Sequence, residues 1–90
     1  HILTEEVQAM NESGTSDSIT LIDIVREAIQ KEIDSYNYYY KAASIAVKPT
    51  AKRMFLKLAE MEEGHASVLG KQLSDLEAQL HIDKAITSNF

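Results

Sequence analysis

Two runs of apolar residues, each spaced alternately three and four apart, flank the chain's only proline. That pattern is a helix-bundle seam written twice, and it leaves little but a helical hairpin to fold into. The inner positions of the first run are Ile22, Val25, Ile29, Glu32, Tyr36, Tyr39, Ala43 and Ala46. Those of the second are Ala51, Phe55, Leu58, Glu62, His65, Leu69, Leu73, Leu76 and Leu80. Polar side chains such as Arg26, Glu27, Gln30, Lys31, Asp34, Asn37 and Lys41 fill most outer positions of the first run. Lys48-Pro49 parts the two, because proline disfavours a helical residue before it and suits the first turn of the next helix. The spacing predicts a helix from about Ser18 to Val47, with Asp17 or Ser18 as N-cap, and a second from about Pro49 to Leu80. So short a connection makes them antiparallel neighbours.

The flanking segments carry weaker signals. Residues 2–10 read as a short helix, with Thr4 as cap and Glu5 and Glu6 favourable in its first turn. Residues 11–17 (NESGTSD) form the only loop-like stretch. The expected organisation is therefore a short helix and loop over 1–17, a helical hairpin over 18–80 and a tail over 81–90 that forms a short helix or a packing arm. His1 is given no chemical role.

Ninety residues suffice for one small domain, which is marginal alone and makes oligomerisation an expectation. The formal net charge of −5 disfavours nucleic acid or an anionic membrane surface as the main partner. No cysteine is present, which excludes disulfides, thiolate metal sites, iron–sulfur clusters and a cysteine nucleophile. No apolar run approaches the roughly 20 residues of a membrane span and no signal peptide is visible, so a cytoplasmic location is expected. The scattered glycines offer no phosphate loop, and nothing beside Ser67 supplies an oxyanion hole.

Three residues break the apolar logic of the seams: Glu32 on the first, Glu62 and His65 on the second. Glu32 lies 16 residues before Lys48 and Glu62 lies 14 after it. At about 1.5 Å per residue both climb roughly 21–24 Å from the turn and should face each other. His65, three residues beyond Glu62, shares its face. An ionised carboxylate alone in an apolar interior costs many kcal/mol and would sooner take up a proton; a cation removes that difficulty. Carboxylates with an imidazole suit iron, manganese or zinc better than soft ions. One hairpin offers three ligands, a poor site for two metals. Two hairpins about a twofold axis offer four glutamates and two histidines, the ligand set of the di-iron and di-manganese carboxylate bundles. A homodimer with two ions at its interface is therefore expected.

The segments AIQKEIDSYNYYYKAA (28–43) and LAEMEEGHASVL (58–69) resemble the two metal-ligating helices of the rubrerythrin/ferritin-like superfamily. The family pattern is a Glu with a Tyr seven residues on, then E-x-x-H about thirty residues later; here these are Glu32, Tyr39 and Glu62-Glu63-Gly64-His65. The resemblance implies an all-α hairpin dimerising into a ferritin-like four-helix bundle. It implies di-iron chemistry in which Glu32, Glu62 and His65 are both ligands and catalytic residues, oxidising Fe(II) with dioxygen or peroxide. It also makes Tyr39 a tyrosine that hydrogen-bonds or quenches radicals beside the metals. The sequence shows neither the usual second pair of helices nor the cysteine-rich rubredoxin domain, so an internal electron-donor centre is not expected. The half-length format is similar to the encapsulated ferritins, whose sites form between subunits, although the ending AITSNF does not resemble their targeting peptide. Association with an encapsulin shell remains an option on that resemblance, as do assemblies larger than a dimer.

Blander readings stand beside these. Tyr36 is better read as aromatic core than as a site neighbour, and Tyr38 and Tyr40 as flank or subunit-contact residues. Glu63 points about 100° from Glu62 and reads as a flank acid. Glu60, Asp34 and His81 read as surface groups. The rival functions are a helical interaction hairpin that buries an acid–histidine network, and a metal-binding protein without turnover.

Overall fold

The computed structural model describes residues 15–88, and they form two helices, α1 (Thr15–Ile45) and α2 (Pro49–Ser88). The fold is all-α, and the two helices match the expected hairpin. The short helix expected over 2–10, with its Thr4 cap, and most of the 11–17 loop lie outside the described residues. No helix among the described residues is long and apolar enough to cross a membrane.

The helix ends depart from the sequence expectation in three places. First, α1 begins at Thr15, so Asp17 and Ser18 lie inside its first turn and neither caps it. Asp17 still complements the positive end of the helix dipole there. Ser18 is buried one turn before Leu21 and Ile22, and the Thr20 hydroxyl donates to the Ser16 carbonyl at 3.1 Å. Second, α1 stops at Ile45 rather than Val47. Proline clashes with a helical residue before it, and the three residues 46–48 leave the helix to make the connection. Pro49 then occupies the first position of α2, and the Lys48 carbonyl accepts from the Lys52 amide at 3.0 Å. Third, α2 continues past Leu80 to Ser88. Nothing in 81–88 breaks a helix, and Gln79 bridges one turn forward to Asp83 at 2.9 Å.

The described residues divide into two compact units. One comprises 15–26 with 71–88. Its core is Leu21, Ile22 and Val25 from α1 and Leu76 from α2. Arg26 pairs with Glu77 at 2.7 Å and lies 3.7 Å from Asp23. These side chains are about half exposed, so the pair contributes at most about 1 kcal/mol. The other unit comprises 27–70, the turn and the helix stretches on either side of it. Its fully buried apolar residues are Ala43 and Ala59, while Phe55, Leu58 and Tyr36 are half-buried. A core so small leaves its seam half open, and it is this unit that holds the polar seam residues.

Candidate metal centre

Glu32 comes from the middle of α1, and Glu62 and His65 from the middle of α2. Register from the turn brings them together: one ligand-type atom from each lies within 4.8 Å of the other two. His65 Nδ1 sits 3.3 Å from Glu32 Oε2 and 3.5 Å from Glu62 Oε1. The cluster is graded in exposure. Glu62 and Glu32 side chains are 20% and 25% exposed, whereas the His65 side chain is 57% exposed. The site is therefore closed on its carboxylate side and open at the imidazole.

Electrostatics within the cluster are unfavourable as they stand. Glu62 shares a side-chain hydrogen bond with Glu32, and this raises its pKa above the ordinary carboxylate range. Loss of hydration and the Glu32 charge push the same way, while His65 and a hydrogen bond from Ser35 oppose them. Two carboxyls this close hold a proton between them more readily than two charges. Meanwhile Glu32 Oε2 is buried and accepts no hydrogen bond; its approach to His65 is an ion-pair contact only. A buried carboxylate oxygen without a donor costs free energy that a cation would recover. The donor set of two carboxylates and one imidazole fits a hard-to-borderline ion such as iron, manganese or zinc. No other group of three such residues of ligand type gathers among the described residues.

The tyrosines pair with each other. Tyr39 is half-buried and meets Tyr38 edge-on, with ring centroids 5.6 Å apart. Half-buried Tyr36 stacks on exposed Tyr40 at 5.8 Å. Glu63, Glu60 and Asp34 are exposed, with Asp34 accepting from Gln30 at 3.0 Å. Ser35 is the residue that the seam pattern overlooks. It follows Glu32 by three positions and so shares its face, which is the one signal that could have found it.

A sequence-family model described as rubrerythrin matches residues 4–88, nearly the whole chain. This chain belongs to the rubrerythrin family. The match spans both helices, and the two fit a half-length form of the rubrerythrin/ferritin-like superfamily. No curated protein and no solved structure matches the chain.

Proposed function

We propose that this rubrerythrin-family chain binds iron through Glu32, Glu62 and His65, and that two copies pair to bring two such ligand sets, and two ions, together. The observation that carries the reading is the convergence of three ligand-type atoms within 4.8 Å around a buried carboxylate oxygen that lacks a donor. Iron supplies the one-electron couple through which electrons pass to dioxygen or peroxide. In the ferroxidase form of the reaction ferrous iron is itself the substrate. Two ferrous ions become ferric as one peroxide and two protons become two waters.

The chain's own groups prepare this site. Glu62 surrenders the proton it shares with Glu32 when a cation enters, because metal and proton compete for the same oxygens. The Ser35 hydroxyl donates to the Glu62 carboxyl and favours its ionised, ligating form. His65 must bind as the neutral imidazole, and its exposure gives ions and small oxidants a way in.

Pairing is supported by the open side of the site. Met54, Met61 and Val68 recur every seven residues on the side of α2 that carries His65, and all three are exposed. An exposed apolar stripe of this kind is a surface that a partner helix would cover. The proposed partner is a second copy, and larger assemblies or storage inside an encapsulin-type shell in the cytoplasm extend the same proposal.

Elemental analysis and oxygen uptake on adding ferrous iron test the reading directly. Glu32→Ala and His65→Ala should abolish iron oxidation while circular dichroism stays helical, since an alanine suits either helix. Parental rates in either variant would refute the ligand assignment. Iron binding without oxygen or peroxide consumption would identify a metal-holding protein without turnover.

A further inference from the structure

The net charge of −5 conceals a strong local reversal. No acidic residue lies between Asp34 and Glu60, and five of the nine Lys and Arg residues fall inside that gap: Lys41, Lys48, Lys52, Arg53 and Lys57. The stretch 41–57 thus carries +5, and the rest of the chain, with all 14 acids and four bases, carries −10. All five cations are exposed and, among the described residues, none forms an ion pair. They ring the turn that joins α1 to α2, with Lys41 and Lys57 within roughly 10–14 Å of it along the helices. Glu60, one turn beyond Lys57, marks the end of the basic zone.

Aliphatic side chains project from the same turn. Val47 is 95% exposed and Ile45 73%, and Pro49 beside them is exposed. A turn that only connected two helices would place polar residues here. Together the two features give the turn end exposed aliphatics flanked by exposed cations.

We propose that the turn end of the hairpin docks on an anionic lipid surface, with Ile45 and Val47 entering the headgroup layer and Lys48, Lys52 and Arg53 meeting lipid phosphates. Such an attachment is reversible and uses two weak signals, apolar insertion and a polybasic patch. Lipid fits better than nucleic acid, because four of the five cations are lysines and the side chains projecting at the apex, Ile45 and Val47, are aliphatic rather than aromatic. It also fits better than an acidic protein, since a projecting aliphatic apex needs a deformable partner or a matching hollow. The attachment does not involve the metal ligands and stands independently of the oxidase reading.

Flotation of the full chain with phosphatidylcholine vesicles, with and without about one third phosphatidylglycerol, tests this. Binding should require the anionic lipid and fall as salt shortens the screening length. Each cation near such a surface contributes a factor of about five, so Lys48→Gln/Lys52→Gln/Arg53→Gln should lose on the order of a hundredfold in affinity. Val47→Ser, which leaves the charge unchanged, should also weaken binding. Circular dichroism and iron content, read on each variant, should match the parent. Equal binding to neutral vesicles, no binding at low salt, or full binding by the triple variant would overturn the proposal. Binding to heparin or duplex DNA with no response to Val47→Ser would overturn it in favour of a general polyanion site.

Discussion

Glu62 is the residue at which this site stores its chemistry. Its pKa is raised chiefly by the hydrogen bond shared with Glu32, so the folded chain holds that proton more tightly than the unfolded chain does. A raised carboxyl pKa contributes stability that is complete below the unfolded value and is lost as pH rises through the folded value. The metal-free protein should therefore lose melting temperature as pH climbs from the ordinary carboxylate range toward neutrality. Glu62→Gln, which keeps a hydrogen-bonding partner for Glu32 and cannot ionise, should flatten that fall. Thermal melts in chelator across about pH 4 to 8 make the comparison, and equal slopes for parent and variant would rule out the shared proton. With metal present the trend should reverse, because a cation binds better as protons leave. The three clustered groups were legible in the sequence because their distances from Lys48-Pro49 set a common level on facing helices. Ser35 was not, because its place three residues after Glu32 is its only signal, and a serine there reads as an ordinary solvated group. The exposure of His65 was hidden for a related reason: three-four spacing averages over a face, and His65 sits about 60° round the helix from Glu62.

At the scale of the helix, Gly64 is an avoidable weakness in α2. It lies in mid-helix, it is exposed, and a Cβ built on it meets nothing within 4 Å. Gly64→Ala should stabilise the protein by about 0.5–1 kcal/mol, through reduced freedom of the unfolded chain, without disturbing iron binding. A melting temperature that falls would mean that this outer side of α2 is covered by a neighbouring molecule in solution. At the opposite extreme Leu76 is buried, and Leu76→Ala should cost about 2–5 kcal/mol as measured by urea unfolding. The same contrast explains how far the helices could be read from sequence. Their number, order and connection followed from the two seams and Pro49, which are strong and local. Their ends did not. Asp17 and Ser18 look like caps by composition, yet helix formation reaches back to Thr15 because nothing before Leu21 forbids it. The stretch 81–88 has no seam of its own, yet it stays helical because a helix already formed extends at small cost where no Gly or Pro intervenes.

For the whole molecule the decisive question is whether one chain can complete its own metal centre. Three ligands from one protomer leave an ion with open positions to be filled by water or by a neighbour. The exposed Met54–Met61–Val68 stripe beside His65 favours a neighbour. An exposed aliphatic on a monomer's surface tolerates a charge with little effect, usually within about 0.5 kcal/mol. At a seam between two copies the same charge would be buried without a partner and would separate them. Val68→Asp therefore distinguishes the two cases. It leaves Glu32, Glu62 and His65 in place and lies outside the basic turn. If pairing completes the site, sedimentation should show the variant shifted to the protomer. Its iron oxidation should fall at least about tenfold, the response of a site losing transition-state stabilisation worth about 1.4 kcal/mol or more. Its gain in melting temperature on adding ferrous iron should shrink as well, because the stabilisation follows the affinity of the folded state for the ion. A protomeric Val68→Asp that oxidises iron at the parental rate would show instead that one hairpin suffices. The heptad stripe would then serve assembly alone.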